Sequence, residues 1–410
     1  KALECFEQMQ HKSVSPNVST FVSIVKACGN LQAIGKGQEV HAKIEKEGFL
    51  EKDNVFGNAL IYMYGKCGLL GKACDVLNGL PAHDVFSWNS LIVGYAEHNY
   101  NAQVLQILRQ MKIEGVLPNI VTYTCGLKAC AALGEMFIGL QIHVWIENAG
   151  VLERDIIIGS VMVDMYAKYG ALAEAQKMFD RLPVRNVILW TSLIAGYFEH
   201  SCGKESLNCY EHMQIEGVSP SVVTFISILK ACASIGSMHE IQEIHADIER
   251  RGLFESDVVL GSSLVDIYAK NGFLYKAQQV FDMLPIRNVV SWTSLVGGYV
   301  EYGQGLKALL CYEEMQIEGV FPTPLSLVCC LRACCSEGDL KKGREIHAKI
   351  EKWGIFEDDP FISSMLVNMY AKCSTLPEAR QIFNKMKSRN QVSWNVLLAG
   401  YAEHFHTEGT

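Results

Sequence analysis

The stretch SWNSLIVGY at residues 87–95 comes back as LWTSLIAGY at 189–197, SWTSLVGGY at 291–299 and SWNVLLAGY at 393–401. Each copy lies 102 residues after the one before. A period held without slippage along a 410-residue chain is the mark of a repeat array rather than of an ordinary globular domain. Trp, Leu, Gly and Tyr keep their places in all four copies, whereas the residue after Trp reads Asn89, Thr191, Thr293 and Asn395.

The 102-residue unit divides into pieces of 35, 36 and 31 residues. The 35-residue pieces are 85–119, 187–221 and 289–323, with partial pieces 1–17 and 391–410 at the two ends. The 36-residue pieces are 18–53, 120–155, 222–257 and 324–359, and the 31-residue pieces are 54–84, 156–186, 258–288 and 360–390. Every residue of 1–410 falls in one array, with no linker and no second domain. Lys1 opens inside a piece, so the chain reads as a segment of a longer one, and the cut ends are expected to self-associate through uncovered apolar faces.

Each piece reads as two helices. Trp88, Leu91, Ile92 and Tyr95 share one helical face, and Val104, Leu105, Leu108 and Met111 form a second apolar pattern after a break near His98–Asn101. Pro118, Pro220 and Pro322 are expected to stop the second helix. A hairpin this small buries its faces only by stacking on neighbours. The expected fold is therefore all-α, a right-handed α-solenoid superhelix of about twelve helix-turn-helix repeats. With 49% hydrophobic residues the chain is not disordered, and no apolar run is long enough for a membrane-spanning helix.

Period and pairing suit several helical-repeat families, but the wording is more specific. NALIYMYGKCGLLGKACDVLNGLP (58–81), SLVDIYAKNGFLYKAQQVFDMLPIRNVVSWTSLVGGY (263–299) and GREIHAKIEKWG (343–354) resemble pentatricopeptide repeat proteins over the whole chain. The alternation of 35, 36 and 31 residues is similar to their subclass with standard, long and short repeats. That resemblance implies binding of single-stranded organellar RNA, one base per repeat, chiefly for C-to-U editing. The implied site is a mitochondrion, with the chloroplast as alternative, and other editing-complex proteins are implied as further partners.

In the family the fifth and last residues of a repeat read the base, and an apolar second residue sandwiches it. Carried over, the pairs are Asn58 with Asp84, Asn89 with Asn119, Thr124 with Asp155, Ser160 with Asn186 and Thr191 with Ser221. They continue with Ser262 and Asn288, Thr293 and Thr323, and Ser364 and Asn390. Sandwiching falls to Val55, Phe86, Ile157, Ile188, Val259, Val290 and Phe361. Positions 2 and 5 share a helical face, and position 5 lies off the Trp88 face, so Asn89 is expected to point out of the core. The implied base order from residue 54 onward is U-Y-G-A-R-n-A-R-n-A, the two unread places belonging to Ile226 and Val328. The competing account of a polar residue near a helix start is capping.

The net charge of −8 is unlike that of a nonspecific nucleic-acid binder, which is usually basic. Locally, Lys66, Lys168, Lys270 and Lys372 recur at position 13 of the short repeats and are expected to neutralise phosphates, although Glu97, Glu199, Glu301 and Glu403 hold that position in the standard repeats. Lys26, Lys128, Lys230 and Arg332 recur in the long repeats.

Other chemistry is not expected. Cys28, Cys130, Cys232 and Cys334 recur as small helix residues, so the 15 cysteines read as reduced structural thiols rather than disulfides or metal ligands. His41, His143, His245 and His347 recur too far apart to share a metal and read as packing or hydrogen-bonding residues. The zinc deaminase signature pairs H-x-E with P-C-x-x-C, but the single H-x-E, His406–Glu408, has no C-x-x-C with it. No cofactor and no catalysis are expected of this segment. The rival reading is a protein-binding scaffold of tetratricopeptide type, whose constant 34-residue period differs from the mixed periods here.

Overall fold

Where the preceding residue is described, a first helix begins one residue after an Asn, Asp, Ser or Thr whose side chain accepts a hydrogen bond from the backbone two or three residues on. Asp84 caps Val85–Glu97, Asn119 caps Ile120–Leu133 and Asp155 caps Ile156–Lys168. Asn186, Ser221, Asn288 and Thr323 repeat the arrangement farther along. The cap satisfies amide groups that the helix itself leaves unpaired, so these residues fix where the helices start.

The structure, a computed structural model, describes residues 1–12, 14–50, 54–150, 155–354 and 359–407, and side chains for these except 10, 255, 256 and 403–407. Glu403 and the His406–Glu408 pair thus lie outside the described side chains. All regular structure among the described residues is helical, and no helix there is long and apolar enough to cross a membrane.

The chain forms two compact units, residues 1–202 with 209–219, and residues 203–208 with 220–410. In the first unit the first helices Val18–Leu31, Asn54–Lys66, Val85–Glu97, Ile120–Leu133, Ile156–Lys168 and Val187–Glu199 pack each on the next. In the second unit Val222–Ser234, Val258–Lys270, Val289–Glu301, Pro324–Glu337, Pro360–Lys372 and Gln391–Thr407 do the same. Trp88, Leu91 and Ile92 are buried, as are Val104, Leu105, Leu108 and Met111 of the partner helix Asn101–Ile113.

The invariant glycine of the opening stretch marks a close approach between consecutive first helices. A Cβ on Gly196 would lie 2.4 Å from Ala167 Cβ, and one on Gly298 would lie 2.7 Å from Ala269 Cβ. Larger residues would force the helices apart.

The prolines do not stop the second helices. Asn101–Ile113 ends well short of Pro118, at Gly115 with φ of 76°. Val116 N donates to Met111 O at 3.1 Å and Gly115 N to Lys112 O at 3.0 Å, closing the helix with a left-handed glycine. Gly217 and Gly319 have the same conformation, so Pro220 and Pro322 are likewise downstream of the stop.

The recurrent histidines are hydrogen-bonding residues that join repeats. The Nδ1 of His41, His143 and His347 lies 2.8, 2.5 and 2.9 Å from the hydroxyl of Tyr64, Tyr166 and Tyr370, and His245 lies 3.2 Å from that of Tyr268. Burial pushes the Tyr64, Tyr166 and Tyr268 hydroxyls up to about 12, so they stay protonated at neutral pH. Burial also lowers all four histidines below their ordinary 6.5, against the smaller opposing pull of a glutamate one turn on. Below about pH 6.5 the unfolded chain therefore binds protons that the folded chain refuses, and stability falls as pH falls. The melting midpoint is expected to drop between about pH 7.5 and about pH 5.5. A midpoint that stays level across that window would contradict the role of these histidines.

Candidate nucleic-acid interface

In each unit a set of large apolar side chains stays out of the core. Val55, Phe86, Ile157, Ile188, Val259, Val290 and Phe361, the second residues of their first helices, are all exposed, from 45% at Val55 to 66% at Phe86. Val121, Val223, Leu325 and Val392 hold the same position and are exposed too. Sequence reasoning passed over these four, although the same second-position register identifies them.

The fifth residues lie one turn farther along, and the structure corrects their expected exposure. Asn89 does not point out of the core; it is 8% exposed, and Ser160, Ser262 and Ser364 are buried as well. The first turn of the neighbouring repeat covers Asn89. Its Nδ2 donates to Asn119 Oδ1 at 2.8 Å, and its Oδ1 accepts from Thr122 Oγ1 at 2.6 Å. Asn58 Nδ2 lies 3.4 Å from Asp84 Oδ2, and Ser262 Oγ lies 3.2 Å from Asn288 Oδ1. In these three repeats the folding brings the fifth residue and the last residue against each other.

Hydroxyl and amide fifth residues present different chemistry. Ser160, Thr191, Ser262, Thr293 and Ser364 each donate to the carbonyl four residues back at 2.7–2.8 Å. The helix takes the proton and leaves an acceptor. Asn58 and Asn89 keep amide donors aimed across the repeat boundary. Thr124 Oγ1 and Asn58 Oδ1 are buried polar atoms with no partner among the described residues.

Capping, the competing account of these polar positions, describes the last residues rather than the fifth. Asp155 Oδ1 takes both Ile157 N and Ile158 N, Asn186 Oδ1 takes Leu189 N, and Asn390 Oδ1 takes Ser393 N. Each cap engages an oxygen, so the amide nitrogen of Asn186, Asn288 or Asn390 is not consumed by the helix start.

In the second unit these elements enclose a groove of about 690 Å³. Val259, Val290 and Leu325 line it together with Ser262, Asn288, Thr293 and Thr323. Lys230 reaches its wall. A smaller hollow of about 280 Å³ lies beside Lys372, Val392 and Asn395.

Three of the position-13 lysines are held by carboxylates. Lys66 pairs with Glu97, Lys168 with Asp164 at 2.9 Å and Lys270 with Asp266 at 2.8 Å. Among the described residues no group of three His, Cys, Asp or Glu side chains is placed to hold a metal ion, and the 15 cysteines are free thiols. Burial raises the thiols of Cys130, Cys232 and Cys334 to about 12.

Family models bear directly on this architecture. Those described as PPR repeat family match residues 83–132, 185–234 and 287–336, and those described as PPR repeat match 58–84, 160–187, 262–289, 326–355 and 361–391. A pentatricopeptide repeat domain model matches residues 1–31. A chloroplastic pentatricopeptide repeat-containing protein of Arabidopsis thaliana is 32% identical over 95% of this chain and 44% of its own length. A mitochondrial one from the same plant is 32% identical over 96% of this chain and 38% of its own length. The chain thus spans less than half of either relative. Among solved structures, the pentatricopeptide repeat protein PPR10 in complex with an 18-nt psaJ RNA element superposes with a TM-score of 0.67 at 20% identity, over 86% of this chain and 53% of that one. With helix pairs of this length and family models covering most of its residues, the chain belongs to the pentatricopeptide repeat family.

Proposed function

We propose that this chain binds single-stranded RNA in a plant organelle, one base per repeat, and positions a transcript for C-to-U editing. The observation that carries the reading is the recurring set of an exposed apolar second residue, a fifth residue beneath it and the next cap alongside. The apolar side chain offers a stacking or packing surface for an unstacked base, and the polar pair offers hydrogen bonds to its edge. PPR10, similar in fold, is bound to RNA in its solved complex. Relatives named chloroplastic and mitochondrial support an organelle, and the 35, 36 and 31 alternation supports the editing subclass.

The fifth and last residues are proposed to read the bases in the order U-Y-G-A-R-n-A-R-n-A. Lys66, Lys168, Lys270 and Lys372 are proposed to approach the phosphates. The test is a competition between an RNA carrying that order and a scrambled RNA of the same composition, repeated across a salt series. The ordered RNA is expected to bind more tightly, and affinity is expected to fall with salt at roughly 0.7 logarithmic units per phosphate contact. Equal affinity for the two RNAs would defeat base readout, and affinity indifferent to salt would remove the lysines from the backbone track.

A further inference from the structure

Position 9 of the long repeats reads Lys26, Lys128, Lys230 and Arg332, a cation in every one. The same position holds Val93, Ala195, Gly297 and Ala399 in the standard repeats and Tyr62, Asp164, Asp266 and Asn368 in the short ones. All four cations are exposed, and among the described residues no hydrogen bond or ion pair engages any of them. Three of the position-13 lysines, by contrast, already sit in carboxylate pairs. Position 9 follows position 2 by seven residues and position 5 by four. The cation therefore shares their helix face, about 10 Å along the axis from the apolar second residue. That second residue is exposed at Val121, Val223 and Leu325. In the second unit Lys230 and Leu325 line one groove with Ser262 and Asn288. Asp266, on the wall of that groove, is committed elsewhere, to Lys270 at 2.8 Å and to Ser294 Oγ at 2.9 Å.

We infer that the long repeats are backbone clamps, with Lys26, Lys128, Lys230 and Arg332 each binding a phosphate of the RNA. This rests on the reading of the groove as an RNA track. A phosphate arriving at Lys230 displaces only water and counterions, whereas one arriving at Lys270 must first part it from Asp266. The net charge of −8 does not oppose such contacts at a distance, because ordinary salt screens charges beyond about 8–10 Å. Arg332 offers a planar fork that can hold two phosphate oxygens at once. The fifth residues Val22, Ile226 and Val328 carry no polar group, so three of the four long repeats have nothing to offer a base edge. Those repeats grip without reading, and the cation returns once in every 102 residues.

The test uses the whole chain and two single-stranded RNAs, one with the proposed base order and one scrambled, each titrated across a salt series. Lys128→Gln with Lys230→Gln is expected to weaken both RNAs alike, by about tenfold at ordinary salt, and to make the salt slope shallower by roughly 1.4, from two contacts at roughly 0.7 each. Lys128→Arg with Lys230→Arg keeps both charges and is expected to keep the slope. Lys177→Gln with Lys352→Gln removes two exposed charges from the second helices Leu172–Arg181 and Leu340–Lys352 and is expected to move the slope far less. An unchanged circular dichroism melt checks the fold of each variant. A wild-type chain that binds no single-stranded RNA overturns the underlying reading and this inference with it. A wild type that binds overturns this inference alone if the Lys128 and Lys230 variant keeps the slope, if the second-helix variant matches its loss, or if the loss is confined to the ordered RNA.

Discussion

Replacing Trp292 by Ala is expected to cost the second unit about 3–5 kcal/mol of stability, the range for removing a large buried aromatic. Trp292 is fully buried, and its ring centroid lies 4.5 Å from that of Phe281 in an edge-to-face arrangement. It packs the helix Val289–Glu301 onto Leu274–Met283 of the preceding repeat, so its loss opens the seam between two repeats rather than loosening one. In an array stabilised by nearest-neighbour contacts such a seam is where cooperativity breaks. Its indole nitrogen is buried without a partner among the described residues, so Trp292→Phe removes an unpaired donor and is expected to cost less than Ala. Trp394 supplies the contrast: it packs on Phe383 at 4.7 Å but is 50% exposed. Urea denaturation of Trp292→Ala and Trp394→Ala is the measurement, with the first expected to fall much further. Equal losses would mean that the seam at Trp292 is not the stabilising contact its burial implies.

Helix starts were legible because capping is local. Asn119 and Thr122 complete their reciprocal bonds within three residues, and any apolar run preceded by such a residue announces the helix. Helix ends were misread at Pro118 because proline is a conspicuous breaker, while the stop is made upstream by Gly115 in the left-handed region. The burial of Asn89 was not legible. It depends on Asn119 and Thr122, which stacking brings over it from 30 and 33 residues away. The same holds for His143, whose recurrence was visible but whose partner Tyr166 lies across a repeat boundary. The ion pair between Asp164 and Lys168 was available from spacing alone, yet a lysine ladder counted by itself hides it. Local hydrogen bonding is written in neighbouring residues; the site is written in pairs that only the stacking of repeats brings together.

Rebuilding the pair of one repeat in another is expected to change the base it prefers. At residues 258–288 the fifth and last residues are Ser262, its proton donated to Val258 O at 2.7 Å, and Asn288 at 3.2 Å. At 54–84 they are Asn58 and Asp84, an amide donor facing a carboxylate. Ser262→Asn with Asn288→Asp installs the second pair in the first setting, between the same exposed Val259 and Val290. Asp84 caps its helix through Ser87 N at 2.7 Å and Asn288 caps through Ser291 N at 2.9 Å, so aspartate can keep the cap and the fold is expected to survive. A helix-bonded hydroxyl that offers lone pairs is replaced by an amide that offers donors, which reverses the match required of the base edge. Each well-paired base contact is worth about 1–3 kcal/mol of discrimination in duplex readout. Losing the preference for A and gaining one for U therefore moves their affinity ratio by about 2–6 kcal/mol, from tens to roughly ten thousand fold. The measurement is a competition between two RNAs that differ only in A or U at the base opposite 258–288. The wild type should favour A and the double variant U, while an RNA changed at a neighbouring base should bind the two proteins with an unaltered ratio. A preference for A that persists in the double variant would mean that Ser262 and Asn288 serve only the helix and its cap.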